Sequence, residues 1–334
     1  MSIELPPLAL YVHLPWCVRK CPYCDFNSHG APARIPETEY VDALLQDLET
    51  DLYAVQGRPL TSIFFGGGTP SLFSPAEIAR FLESVRKRTA IAPDVEVTLE
   101  ANPGAIEHGR FRGYRDAGVN RVSLGAQSFN DDHLRLLGRI HGGMDIARAI
   151  EELVRADLRN FNLDLMYALP AQSLEDAIAD IETALALEPA HISHYQLTLE
   201  PGTAFYRRPP PLPDAEAAWR MQTECQARLA RSGYDQYEVS AYARPGRQCA
   251  HNLNYWRFGD YLGLGAGAHG KVTVEGVVTR TVRVRQPRDY LARAPLERLS
   301  ERSIVSTEQL PFEYMLNVLR VLEGFDAAAF EGRT

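Results

Sequence analysis

Six short apolar segments alternate with helical ones over the first two thirds of the chain, and that alternation restricts the fold more than any other feature. Strands are expected at Leu8–Leu14, Ser62–Phe65, Val95–Leu99, Arg121–Leu124, Phe161–Met166 and His191–Leu199. Between them the apolar positions move to helical spacing, as with Val41, Leu44, Leu45, Leu48 and Leu52 in a helix expected from about Glu37 to Val55. The next helix has a marked start: Ser74 as N-cap, Pro75 at the first helical position and Glu77 three residues after the cap. Further helices are expected near Ala105–Ala117, Leu174–Leu187 and Ala215–Arg231. Strands joined through helices run parallel with the helices packed outside. Six units fall short of the eight of a closed barrel, so the pattern predicts an open, partial (β/α)6 TIM-like barrel. After about Arg244 the chain turns to a Gly-rich loop, Val- and Arg-rich strands around Lys271–Arg285 and a helix at Thr307–Leu322. The division read from this is a barrel over 1–243 and a small C-terminal α+β domain over 244–334.

A formal net charge of −8 argues against a general nucleic-acid binder, which neutralises phosphates with Lys and Arg. The apolar run Leu8–Leu14 is too short to span a bilayer, and no basic segment precedes it. These features place the chain in the cytoplasm. In that reducing compartment its five cysteines are not expected to form disulfides.

Three of the five sit together as Cys17-Val18-Arg19-Lys20-Cys21-Pro22-Tyr23-Cys24, a C-x3-C-x2-C string directly after the first strand. A short Pro-constrained loop can wrap three thiolates around one iron–sulfur cube. Three ligands leave one iron of a four-iron cluster open to a reacting partner, as catalytic zinc sites keep an open position. Zinc is the competing reading. It would want a fourth ligand, for which Cys225, Cys249, His13 and His29 are available.

The run from Tyr11 through Trp16-Cys17 to Cys24-Asp25-Phe26 resembles the radical SAM enzymes. More narrowly, it is similar to the family of oxygen-independent coproporphyrinogen III oxidases and their heme-chaperone relatives. The resemblance extends from about residue 8 to at least residue 320. It implies a radical SAM barrel with a [4Fe–4S] cluster on Cys17, Cys21 and Cys24. The open iron would bind the amino and carboxylate groups of S-adenosylmethionine (SAM), whose reductive cleavage yields a 5′-deoxyadenosyl radical.

Polar residues gather where such a barrel carries its chemistry, at the carboxyl ends of the strands. Gly66-Gly67-Gly68 follows the second strand, Glu100 ends the third, Gln127 lies just beyond the fourth and Asp164 lies in the fifth. Each alone has an ordinary explanation as a turn or a paired acid; their placement on one rim is what speaks for a site. By resemblance, Gly67, Gly68 and Thr69 match the segment at the amino-acid end of SAM. Glu100, Gln127, Arg139 and Asp164 match SAM-contacting positions. Tyr11 and Tyr23 match positions lining the SAM site.

The string His251-Asn252-Leu253-Asn254-Tyr255-Trp256 is similar to one found in the heme chaperones, which makes His251 a candidate heme ligand. A histidine beside an asparagine in a loop is more often structural. Lys271–Arg302 holds eight basic and four acidic residues, an excess that could meet porphyrin propionates. Two functions compete: a heme chaperone that hands heme to acceptor proteins, and a coproporphyrinogen III decarboxylase. Phe26 stands where the oxidases have a further cysteine, and only sixteen residues precede Cys17, where the oxidases carry a substantial segment. Both departures favour the chaperone. Peripheral membrane association and a homodimer are further expectations of this reading. The family usually ends in a winged-helix-like module, whereas this chain stops at Thr334, so it is either naturally shorter or truncated.

Overall fold

The computed structural model describes residues 5–104 and 109–334. Its frame is one sheet of twelve strands. Six of them alternate with helices and run parallel: β1 (Leu8–Leu14), β2 (Leu60–Gly67), β3 (Ile91–Ala101), β4 (Arg121–Gln127), β5 (Phe161–Tyr167) and β6 (His191–Gln196). Parallel strands are covered on both faces and read as near-continuous apolar runs. β1 does so, with Leu8, Leu10, Val12 and Leu14 all fully buried, and every residue of β4 is buried. The crossovers include α1 (Glu37–Asp51), α2 (Pro75–Arg88), α3 (Phe111–Ala117), α4 (Gly143–Arg155), α5 (Leu174–Ala186) and α6 (Ala215–Arg231). At the start of α2, Ser74 Oγ accepts from Glu77 N as its motif requires.

The remaining six strands extend the sheet at both edges. β7 (Asp235–Glu238) and β8 (Ala241–Ala243) form an antiparallel hairpin beside β6. Val239 and Ser240 form the turn of that hairpin. Beyond residue 244 the chain adds β9 (Asp260–Leu264), which lies parallel to β1 on the side away from β2. Antiparallel β10 (His269–Val274), β11 (Val277–Arg283) and β12 (Leu299–Ile304) follow outward. Leu262, Leu264, Val272 and Tyr290 of this segment join the main hydrophobic core.

Several boundaries differ from expectation. β2 runs on through Gly66 and Gly67, because their backbones pair in parallel with His13 and Leu14. β4 likewise reaches Gln127, which is its last residue rather than a loop position. The third helix begins at Phe111; residues 105–108 of the expected helix lie outside the described residues. The helix expected at Thr307–Leu322 is confined to α8 (Leu310–Val318), preceded in the chain by α7 (Ala250–Trp256). Among the described residues no helix is long and apolar enough to cross a membrane.

Candidate cofactor site

The carboxyl ends of β1 to β6 surround a cavity of about 540 Å³. Cys17, Cys21 and Cys24 line one wall. The loop that carries them is tied down by backbone bonds: Gly68 N donates to Leu14 O at 2.9 Å and Thr69 N to Trp16 O at 2.8 Å. Gly67 and Gly68 make this closeness possible. A Cβ on Gly68 would fall 2.6 Å from Trp16 O, and one on Gly67, whose φ is +111°, would meet the His13 ring at 2.5 Å. These glycines therefore serve first to seat the cysteine loop on β2. Burial pushes the thiols of Cys17 and Cys24 up.

Opposite the thiols stand the acids. Gly67 N donates to Glu100 Oε2 at 3.2 Å. Burial, then the charge of nearby Asp164, push the Glu100 carboxyl up to about 8, so it holds its proton at neutral pH. Asp164 accepts from Ser123 Oγ at 3.0 Å, from Asn162 Nδ2 at 2.8 Å and from Tyr195 OH at 2.5 Å. Among the described residues neither acid has an ion pair. Gln127 ends β4 at a register shift and with φ of +71°, a strained position for a non-glycine residue that turns its side chain to the cavity. Its Oε1 is buried and has no hydrogen-bond partner among the described residues.

Arg139 bridges the two walls. It donates to Gly125 O at 2.7 Å and to Asn102 Oδ1, and approaches Cys21 Sγ at 3.7 Å. Asn102 in turn donates to Thr69 Oγ1 at 2.8 Å. On the β1 side, His13 Nε2 donates to Asn27 O at 2.9 Å, which leaves Nδ1 to accept from Tyr11 OH at 2.9 Å. Burial lowers His13 to about 4, so the ring is neutral and that tautomer is fixed. Tyr23 also lines the cavity, and its phenol is raised by burial.

Every residue that the resemblance implied for cluster, SAM or heme thus reaches this one cavity, His251 included. His251 is on α7 with both ring nitrogens engaged, to Ser62 Oγ at 2.8 Å and Tyr255 OH at 3.1 Å. Its ring stacks on Phe64 with centroids 4.9 Å apart, and burial lowers it to about 3. It is bound and neutral in the manner of a core histidine. Sequence reasoning passed over Ser123, Asn162, Ser193 and Tyr195, which also line the cavity. Their signal was present: Ser123 and Gln127, Asn162 and Asp164, and Ser193 and Tyr195 lie at even spacing along their strands and so on one face of the sheet.

The donor set suits an iron–sulfur cluster and its ligand better than zinc. Neither Cys225 nor Cys249 reaches the cavity; their thiols donate instead to Ala177 O and Glu96 Oε1. Among the described residues no three His, Cys, Asp or Glu side chains converge on a single metal position. A four-iron cube binds each thiolate through a different iron, so its cysteines line a space and need not meet at a point.

The profile of the Radical SAM superfamily matches residues 11–184, from Tyr11 past Asp164. Across 329 residues the chain is 51% identical to heme chaperone HemW of Escherichia coli, covering 98% of this chain and 86% of that protein. The chain belongs to the HemW family of radical SAM proteins. HemW of Haemophilus influenzae is also 51% identical, over 336 residues and 87% of its length. In fold the chain is similar to coproporphyrinogen III oxidase (HemN) of E. coli, with a TM-score of 0.84 over 99% of this chain and 79% of that one, at 24% identity. His251 lies outside the superfamily match, in the part shared with the HemW proteins.

Proposed function

We propose that this chain is a radical SAM-type heme chaperone, which binds a [4Fe–4S] cluster, SAM and heme and delivers heme to acceptor proteins. The carrying observation is 51% identity to proteins named as heme chaperones over nearly the whole chain. Cys17, Cys21 and Cys24 would hold the cluster, whose open iron would bind SAM and which, once reduced by an external donor, would supply the electron for SAM cleavage. The chain's own groups do the rest. Gly67, Gly68 and Thr69 hold the loop over the site, while Glu100, Asp164 and Gln127 offer acceptors to a cationic, hydroxyl-bearing ligand. Arg139, fixed by Asn102 and Gly125, keeps a permanent positive charge beside Cys21, where thiolates need one. Tyr11 and Tyr23 close the sides. The barrel over 1–243 carries this machinery, and 244–334 forms the C-terminal domain set against it. The assignment places the protein in the cytoplasm, with peripheral membrane contact and a homodimer as parts of the same proposal.

The alternative is a coproporphyrinogen III oxidase, the activity named for the structural neighbour; at 24% identity that likeness speaks for the fold alone. Anaerobic reconstitution followed by incubation with coproporphyrinogen III, SAM and reductant separates the two. The expected outcome is no protoporphyrinogen, together with heme transfer to an apo-hemoprotein. Appearance of protoporphyrinogen overturns the chaperone reading.

A further inference from the structure

The cavity is one space with two levels. Along β4, Arg121, Ser123, Gly125 and Gln127 all line it, at every second position of the strand. Gln127 at the rim and Arg121 at the floor are separated by about 20 Å of strand. In register, Glu100 pairs with Ser123 and Thr98 with Arg121. The backbone of Glu100 therefore lies one pleat repeat, about 7 Å, above the level of Arg121.

Among the described residues, Arg121, Arg283 and Arg298 are the buried arginines, and they are not treated alike. Arg298 donates to Tyr290 O, Arg293 O, Ala43 O and Gln46 Oε1. Arg283 donates to Gly263 O and to Asp51, and is ion-paired with Asp47. Arg121 is 2% exposed, yet among the described residues it makes no hydrogen bond, and its Nε is buried without a partner. Its countercharge, Glu96 Oε2, stands 3.8 Å from that Nε. The Glu96 oxygens are engaged elsewhere, accepting from Cys249 Sγ at 3.5 Å, Ala250 N at 3.1 Å and His251 N at 3.2 Å. The polar side chains nearby are committed as well: Asn162 donates to Ser123 and Asp164 and accepts from His191 and Ser193. A buried guanidinium whose fork of N–H donors is left unpaired is strongly destabilising, so this one is built for a partner that the chain itself does not supply.

From this arrangement we infer that Arg121 anchors the carboxylate of a second small molecule, an organic acid held in the lower half of the barrel beneath SAM. The inference rests on the SAM reading of the cavity and is independent of heme. In that reading SAM's own carboxylate goes to the open iron at the rim, a strand's length from Arg121, and does not reach the floor. Charge sorts the two ligands. Glu100 and Asp164 accept from the cationic part of SAM and disfavour an anion at their level, which leaves Arg121 as the place for a carboxylate. The planar fork of arginine meets a carboxylate with two parallel hydrogen bonds, and such a pair is strong where water is excluded.

The test is calorimetric titration of the reconstituted, SAM-loaded protein with acetate, succinate and glutarate, with acetamide as the uncharged control. Binding of at least one acid is expected, and none of acetamide. Arg121→Met weakens that acid by about tenfold or more, while the four-iron absorbance and the affinity for SAM stay in place. Arg121→Lys keeps a charge beside Glu96, and with it the fold, but gives up the fork; the acid weakens there by about threefold or more. Unchanged acid affinity in either variant overturns the assignment. A SAM-loaded wild type that binds none of the three acids, or binds acetamide equally well, overturns it too. A wild type that binds no SAM is a different result: it removes the SAM reading, and the inference falls with it.

Discussion

Two groups of acids in the molecule, one in the scaffold and one at the cavity, are treated in opposite ways. Asp47 and Asp260 belong to the scaffold. Asp47 has Arg283 Nη1 at 3.1 Å and Arg298 Nη1 at 3.6 Å, with Tyr290 OH donating at 2.5 Å. Asp260 has Arg58 Nη1 at 2.8 Å, Lys271 Nζ at 3.2 Å and Thr273 N at 2.8 Å. In both, cations lie against the carboxylate and offset part of the loss of water, although burial still pushes the Asp47 carboxyl up. Glu100 and Asp164 face the cavity with hydrogen-bond donors only. The scaffold closes its own charge balance, and the cavity leaves a deficit of positive charge for a ligand to fill. SAM, with an ammonium and a sulfonium, fits that deficit.

The comparison can be broken from either side. Cys21→Ala should abolish the four-iron absorbance altogether while leaving the unfolding midpoint of the cluster-free protein in place. Full retention of iron and sulfide would refute the triad. Asp47→Ala should do the reverse, costing about 3–5 kcal/mol of stability by stranding Arg283 and Arg298 without a buried counter-charge. Chemical denaturation measures it, and a loss below about 1 kcal/mol would show that the scaffold acid is not what balances those arginines. Glu100→Gln keeps an oxygen for Gly67 N but cannot ionise. Calorimetry should show SAM weakened by roughly tenfold, the worth of one hydrogen bond to a charged group. Unaltered affinity would take Glu100 out of the SAM site.

Much of this was legible in the sequence, for identifiable reasons. The parallel strands were readable because their centres are buried and carry mostly apolar residues, as in β1 with Leu8, Leu10, Val12 and Leu14, and α6 was readable to the residue because Asp214 and Ser232 bracket a clear amphipathic run. The cavity residues were found through motif and strand-end position. What escaped depends on contacts distant in sequence. Nothing local announces that β9 lies against β1, some 250 residues earlier, or that Asn27 bonds Ala266 and Arg285. The same limit explains His251. Its motif marks it as a ligand candidate, but only the fold brings Ser62, 189 residues away, to its Nδ1.

The smallest effect tests the charge deficit most directly. Glu100 has an ordinary value near 4.5 when unfolded and about 8 in the folded, ligand-free chain. Between those values the folded state holds a proton that the unfolded state has released, so stability falls as pH rises through this window. Below about 4.5 both states are protonated and above about 8 both are ionised, so the contribution is flat at either end. Relative to Glu100→Gln, the wild type should lose on the order of 1 kcal/mol across the window, because the cavity-facing side of the carboxyl retains some solvation. SAM affinity should move the other way. A cationic ligand favours the ionised carboxylate, so binding at neutral pH releases a proton and tightens as pH rises toward about 8, whereas Glu100→Gln shows no such slope. Parallel pH profiles in the wild type and variant, for stability and for SAM alike, would mean that Glu100 is already balanced as Asp47 and Asp260 are, and that the two groups of acids do not differ.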